Sequence, residues 1–265
     1  MSIDTRHDAQ NPPAALDPFR IGYRYVPAVG PDGRERPVMV PLTEEDFLHP
    51  QEGDRFVANE LHWVSMAYVR HAIEFVHRGR PGVRVFADHR IDWQVSGLLP
   101  HGPDVVAFEN FWSDWDPSRG TLPVVDFDAR VMAVLEVTSP ETRRVDFEKK
   151  FLEFFDAGIP YYVILDVAGP EGHEKVLGYG RGDDGFEPLP RDERHGVFVP
   201  NINIWLRWTG ERFVAATEAG DDIPTGLELA DRADAEKRRA DDATQQNEDL
   251  KRELAALKAR RNGTH

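Results

Sequence analysis

Two carboxylates and a lysine stand out in this chain because of where they fall in its hydrophobic pattern. Asp104 precedes the apolar residues 105–108, and Glu136 lies within the apolar run 131–138. Such runs are typical of buried strands, where a charge is costly unless a partner charge or a metal ion compensates it. Two acidic groups from neighbouring strands commonly share a divalent cation. With Lys150 nearby to neutralise charge on a phosphoryl oxygen, the trio predicts a metal-dependent enzyme that cuts phosphodiester bonds.

Each of these residues also has a plain structural explanation. A buried acid at a strand end is more often capped or paired than bound to a metal, and Pro-Asp, as at Asp104, is a common opening of a turn. Asp146 and Lys150 are four residues apart on a predicted helix and share a face, so an ordinary surface ion pair explains them as well. Lys149 points about 100° away from Lys150, which makes the two lysines a matched pair for a test.

Further candidates lie at the start of a predicted helix and in two loops. Glu60 would add a third acidic group to a two-metal site, and His62 would act as a base or as a donor to phosphate. Each is more often simply a residue of a helix N-terminus, where the helix dipole favours Glu60. Residues 88–92 either line a cleft or form a turn. Trp112 and Trp115 either stack on bases or fix their own loop.

The composition of the chain excludes several kinds of site and several classes of enzyme. The 265 residues include no cysteine, which excludes disulfides, thiolate zinc sites and a cysteine nucleophile. No apolar run approaches the roughly 18 to 20 residues of a membrane span, and residues 1–17 contain no apolar signal segment, so we expect a cytoplasmic protein. The motifs of P-loop, dinucleotide, serine-hydrolase and zincin chemistry are absent. The net charge of −15 opposes binding to nucleic acid, but five arginines are candidates for a local basic surface: Arg78, Arg80, Arg84, Arg143 and Arg144.

The predicted elements place the candidate residues in one α/β core. An apolar stripe predicts a helix from Asn59 to about residue 77, with Asn59 as its N-cap. A second amphipathic helix over residues 142–156 separates the strand that carries Glu136 from another buried strand at 160–166. Strand, helix and strand within about 35 residues indicate a crossover with parallel pairing, hence a sheet with parallel strands.

We divide the chain into three parts. Residues 1–42 form a proline-rich N-terminal extension, aperiodic apart from a strand-like piece at 21–26, residues 43–226 form the main domain, and residues 227–265 form a helical tail. A heptad pattern in the tail improves toward its end and places Asn247 at an a position, which favours a parallel two-stranded coiled coil. Because only the last two heptads are strongly apolar, a single solvated helix explains the pattern equally well. The tail therefore predicts either a homodimer or an isolated helix.

Several segments of the chain together resemble the Uma family of restriction-type endonucleases, which belongs to the PD-(D/E)XK nuclease superfamily. The match is specific over residues 103–167 and looser from 42 to about 225. The segments that carry it are PDV at 103–105, LEVTSPETRRVD at 135–146, the lysine at 150, AGIPYY at 157–162 and VILD at 163–166.

The resemblance implies a restriction-endonuclease-like α/β core with a mixed sheet flanked by helices. It also implies DNA as the substrate, hydrolysed by water activated by Mg²⁺ or Mn²⁺ without a covalent intermediate. Asp104 and Glu136 would bind the metal, with the Val137 carbonyl as a further ligand, and Lys150 would complete the catalytic set. The superfamily usually carries its lysine two residues after the acid, where this chain has Thr138. In the Uma family the lysine lies on the following helix, at the position of Lys150.

A second hypothesis belongs to a different class of function. A catalytically silent protein with a nuclease fold would act in assembly or regulation through its coiled-coil tail. The acidic net charge and the helical tail favour this hypothesis. The presence of Asp104, Glu136 and Lys150 argues against it, because a decayed site tolerates loss of these residues.

Overall fold

Strands and helices alternate along most of the chain in the computed structural model, which describes residues 17–112, 114–116 and 118–262. Residues 1–16 of the extension and 263–265 of the tail lie outside the described residues. The strands are β1 (Gly22–Val29), β2 (Glu35–Pro41), β3 (Arg55–Phe56), β4 (Arg84–Ala87), β5 (Arg90–Asp92), β6 (Val105–Glu109), β7 (Thr121–Pro123), β8 (Arg130–Val137), β9 (Tyr161–Leu165), β10 (Val176–Arg181), β11 (Phe186–Pro188), β12 (Val197–Val199), β13 (Ile204–Trp208) and β14 (Phe213–Thr217). The helices are α1 (Glu44–Leu48), α2 (Glu60–Val76), α3 (Lys150–Asp156) and α4 (Gly226–Asn262), with a π-helical turn at Val145–Lys149 and 3₁₀ turns at Val125–Phe127 and Pro200–Ile202.

A six-stranded sheet in the order β11-β10-β9-β8-β6-β4 forms the centre of the main domain. β8 and β9 are parallel, and the other neighbouring pairs are antiparallel. The last six residues of β8 are all buried, because this strand lies between β9 and β6 and is covered on both faces. The α/β class with a mixed sheet, expected from the sequence, is confirmed.

The helical connection between β8 and β9 begins as a π-helical turn and continues as α3. The amphipathic helix expected over 142–156 is thereby confirmed in outline. Of the four phenylalanines on it, only Phe154 is fully buried, and Phe147, Phe151 and Phe155 keep some exposed surface. The wider π turn is notable because such turns often occur at functional sites. Here it carries Asp146, whose side chain is buried.

The N-terminal strands form a separate three-stranded sheet in the order β2-β1-β3. Only part of β1 is evident from the sequence, because β2 is largely exposed and shows no apolar alternation. A capping box follows at α1, where the Thr43 hydroxyl accepts from the Asp46 amide and the Asp46 carboxylate accepts from the Thr43 amide. At α2, the Asn59 side chain accepts from the His62 amide and confirms the expected N-cap.

The strands beyond β9 divide between two sheets. β10 and β11 extend the central sheet. β12, β13 and β14 instead form their own antiparallel sheet. The Tyr68 hydroxyl of α2 accepts a hydrogen bond of 3.0 Å from the Ala215 amide and so ties this sheet to the first long helix.

The chain divides into two compact units, and the second begins at Asp222. This unit consists mainly of α4, a continuous helix of 37 residues with almost all described side chains exposed. Thr225 and Glu228 form a capping box at its start. The expected C-terminal helix is confirmed. Among the described residues, no helix combines the length and the apolar character that crossing a membrane requires.

Candidate active site

The register of β6 and β8 brings Asp104 and Glu136 together. Val105 pairs with Leu135, so Asp104 and Glu136 both lie one residue beyond this pair, at the same edge of the sheet. The Asp104 amide is 3.4 Å from Glu136 Oε2, and Asp104 Oδ2 accepts a hydrogen bond of 2.7 Å from the Val137 amide. The two acids expected to share a metal ion are neighbours.

Lys150 lies at the centre of a buried ionic cluster. Its Nζ is 3.0 Å from Glu136 Oε2 and 3.2 Å from Asp146 Oδ1. The three side chains are at most 1% exposed, so the explanation of Asp146 and Lys150 as a surface ion pair is wrong. The ring of Phe47 covers the ammonium at 4.2 Å from its centroid. Lys149 instead points to the surface, where it pairs with a carboxylate of α1.

Burial is the largest influence on the pKa values of this cluster. It raises the pKa of Glu136 well above the usual value and that of Asp146 to about 6, although the Lys150 charge opposes both shifts. Burial would lower the pKa of Lys150, but the charges of Glu136, Asp146 and Asp104 outweigh burial and raise it. The lysine therefore stays charged at neutral pH while the carboxyl groups compete for protons.

His62 reaches the site from the first turns of α2. Its Nε2 is 3.3 Å from Asp104 Oδ1. Burial would lower the pKa of His62, but the hydrogen bond and charge of Asp104 outweigh it and raise the pKa. Burial would equally raise the pKa of Asp104, and the partners of that carboxylate, led by His62, lower it. The two side chains therefore stabilise each other in their charged forms.

Of the other acidic candidates, the structure brings Asp88 to the site and leaves Glu60 outside. The Glu60 side chain is exposed, and within the described residues it has no contact with the cluster. Asp88 follows β4, adopts a left-handed conformation with φ 49°, and donates its amide to the Asp104 carbonyl at 3.0 Å. Burial, followed by the charge of Asp104, raises the pKa of Asp88. Asp88 thus both forms a turn and lines the cleft.

A cavity of about 500 Å³ opens in front of the acidic residues. Its lining includes Asp104, His62, Asp88 and Ser139, together with Phe47. Glu136 and Lys150 lie behind these residues without exposed surface. A ligand in the cavity therefore meets Asp104 and His62 first.

Thr138, two residues after Glu136, has a structural role. Its hydroxyl donates to Asp166 Oδ1 at 2.8 Å, and the Arg143 guanidinium pairs with the same carboxylate at 2.7 Å. Asp166 is almost completely buried. This network ties the end of β8 to the end of β9, so a lysine at position 138 would break it.

A second group of potential ligands, which the sequence does not reveal, lies away from these acids. One ligand atom each of His49, His101 and Glu153 lies within 4.8 Å of the other two. The indole N–H of Trp93, which can only donate, is 2.9 Å from His101 Nδ1. His101 therefore carries its proton on Nε2 and donates it to Glu153 at 2.8 Å. A metal ion would need that same Nε2 lone pair, so the group forms a hydrogen-bond network instead. Burial lowers the pKa of His101 to about 3, which keeps the imidazole neutral.

The mixed sheet with acidic residues at one edge agrees with a restriction-endonuclease-like protein. Residues 61–229 match the family model Uma2, described as "Putative restriction endonuclease". Since this range covers more than half of the chain, the protein belongs to the Uma2 family. Among solved structures, the chain is similar to a crystal structure of "a putative nuclease belonging to DUF820" from Anabaena variabilis ATCC 29413, with 16% identity, a TM-score of 0.43, and coverage of 61% of this chain and 91% of that chain. No curated protein matches the chain.

The buried cluster predicts that Lys150 and Lys149 differ sharply in their effect on stability. Lys150→Met leaves Glu136 and Asp146 without a cation, so we expect a loss of about 3–5 kcal/mol near pH 8. The loss should shrink at pH 5, because the two buried carboxyls then take up protons. Urea unfolding at both pH values measures it. Lys149→Met, which removes a partly exposed pair, should cost less than about 1 kcal/mol. Equal losses for the two variants would contradict the cluster.

Proposed function

We propose that this member of the Uma2 family is a Mg²⁺-dependent endonuclease that hydrolyses DNA. One observation supports the proposal most strongly. Two fully buried carboxylates, those of Glu136 and Asp146, contact the single ammonium of Lys150, the partly exposed Asp104 lies beside them, and Glu136 Oε1 has no hydrogen-bond partner among the described residues. A buried carboxylate oxygen without a partner is costly, and an excess of negative charge in a cavity wall favours a cation.

The donor set fits Mg²⁺. Mg²⁺ commonly takes one or two carboxylates from the protein and completes its shell with water and substrate phosphate. Asp104 and Glu136 would supply these two carboxylates, and the backbone of Val137, whose amide donates to Asp104 Oδ2, lies beside them. Within the described residues no third acid or imidazole joins this pair inside 4.8 Å. Mn²⁺ has the same preference for oxygen ligands and is an alternative occupant.

The protein's own side chains have distinct roles in the proposed reaction. The bound cation would polarise the scissile phosphate and acidify a water molecule beside it. Lys150 fixes the Glu136 carboxylate through its 3.0 Å contact and offsets negative charge that develops on the phosphoryl group. His62 lines the cavity and holds Asp104 in position through its 3.3 Å contact.

A catalytically silent protein is the second candidate, and one observation favours it. Glu136 and Lys150 have no exposed surface, so the reacting groups are closed off behind Asp104 and Phe47. A silent site would have no need of a cation. Binding of a divalent ion therefore separates the two candidates independently of any cleavage.

Activity should depend on the buried lysine and not on its neighbour. In a plasmid-nicking assay with Mg²⁺ or Mn²⁺, Glu136→Gln and Lys150→Met should each lower the rate at least about 100-fold, because the first removes a metal-binding charge and the second removes the cation that fixes that carboxylate. Lys149→Met should keep the wild-type rate. Thermal melting of each variant checks that it is folded. Comparable losses in Lys149→Met and Lys150→Met would rule out the proposed site.

Mg²⁺ binding should become tighter as the pH rises. A proton on Glu136 competes with the cation, and the pKa of this carboxyl is raised, so affinity should increase by up to about tenfold per pH unit until the group is ionised. Calorimetric titrations in two buffers with different ionisation enthalpies should reveal proton release. Glu60→Gln is the control and should bind like the wild type. An affinity that does not change with pH would count against Glu136 as a ligand.

We also propose that α4 joins two copies of the chain in a parallel coiled coil. Leu250, Leu254 and Leu257 are more than half exposed and occupy successive d, a and d positions. Glu253 at g and Lys258 at e are spaced to pair between two parallel helices. A second copy would cover the leucines and pair these charges.

The dimer depends on one leucine stripe. Leu254→Lys should convert the protein to a monomer in sedimentation equilibrium, because a charge at an a position is buried in the pair. Leu227→Lys, at an exposed position outside the stripe, should leave the dimer intact. A wild-type protein that is monomeric at micromolar concentration would refute the proposal and leave α4 as a solvated helix.

A further inference from the structure

Three cavities adjoin one another along the outer face of α2. The cavity in front of Asp104 shares Trp63 and Met66 with a second cavity of about 540 Å³. The second shares Arg70 and Glu74 with a third cavity of about 640 Å³. Together they form a groove, which we call the α2 groove, from the acidic site to the C-terminal end of α2 and the edge strand β4.

The far end of the α2 groove is basic in a chain that is strongly acidic. Four arginines and two carboxylates line the third cavity: Arg70, Arg78, Arg80, Arg84, Glu74 and Asp114. Arg84 is exposed and, among the described residues, has no carboxylate partner. Arg78 donates to the Phe75 carbonyl and lies over the Phe75 ring, and within the described part of the chain it has no carboxylate partner. Positive charge concentrated this way suits successive phosphates of a nucleic-acid backbone.

An exposed indole lies between the acidic and basic ends. Trp63 is 47% exposed and lines both the first and the second cavity. An aromatic face in a basic groove is a platform for stacking an unpaired base. From Trp63 to the end of α2 the helix rises by about 20 Å. That length corresponds to roughly six nucleotides at the stacked rise of 3.4 Å per strand.

We infer that the α2 groove holds a single DNA strand, with a base on Trp63 and phosphates at Arg78 and Arg84. The strand would lead to the phosphate at Asp104, and in this respect the inference rests on the proposed function. The substrate would then need an unpaired segment of roughly six nucleotides beside the cleavage position. The groove therefore selects for strand ends, flaps or gaps over continuous duplex.

Binding without catalysis tests the groove directly. Fluorescence anisotropy of a labelled 20-nucleotide single strand, in EDTA and at several salt concentrations, should show Arg78→Ala/Arg84→Ala binding at least about tenfold more weakly than wild type. The slope of the logarithm of its binding constant against the logarithm of the salt concentration should be smaller in magnitude by about 1.4, since each contact with a single-strand phosphate contributes about 0.7. Trp63→Ala should weaken binding by roughly fivefold or more. The control Arg36→Ala/Arg252→Ala removes the same net charge elsewhere and should change binding less than twofold. Melting curves check that all variants fold.

The outcomes separate this inference from the nuclease proposal. Glu136→Gln should bind the strand like the wild type and fail to cut it. If the control variant weakens binding as much as the groove variant, or if wild type prefers the matched duplex and Trp63→Ala binds normally, the groove is not the strand site. Either result leaves cleavage at Asp104 and Glu136 untouched. Conversely, specific binding by the groove without cleavage under any metal would retain the groove and refute the nuclease.

Discussion

A lysine ammonium with no exposed surface holds the centre of this protein together. Lys150 contacts both Glu136 and Asp146, and burial of these charges is offset only while all three are present. The ammonium nevertheless neutralises one carboxylate at most. Asp104 is paired with His62, so one of the two buried carboxylates stays uncompensated when both are ionised, and a divalent cation would offset that charge. The same contact therefore bears on stability and on the proposed chemistry.

Sheet topology explains why one lysine can serve residues that are far apart in sequence. β8 is central and parallel to β9, so the chain must cross back over the sheet between them. The crossover starts as a π turn and carries Asp146 and Lys150 over the end of β8. Because the ammonium comes from the helix, position 138 can carry a threonine, whose hydroxyl donates a hydrogen bond to Asp166. Lys150 on the helix and Thr138 at the end of β8 are two parts of one arrangement.

Local patterns predicted the parts of the site that depend on local structure. The strand around Glu136, the N-cap at Asn59 and the helix that carries Lys150 follow from apolar periodicity and capping chemistry. These patterns do not distinguish Glu60 from His62 as the residue that reaches the site. The two positions face different ways on one helix, and only packing decides which of them turns inward. Contacts between residues far apart in the sequence could not be predicted from local patterns either. His101 and Glu153 are 52 residues apart, and no sequence spacing marks them as partners.

The negative charge of the chain is concentrated in one part of the sequence. Residues 43–226 contain 18 basic and 33 acidic residues, so the whole net charge of −15 falls on the main domain and not on the extension or the tail. A domain of this charge repels duplex over most of its surface. Contact with a polyanion is favourable only where arginines cluster without carboxylate partners, as at Arg78 and Arg84, or where a bound cation reverses the sign. The unpaired arginines and the proposed cation site both lie along one face of α2, so this helix would link binding of a strand to the acidic site.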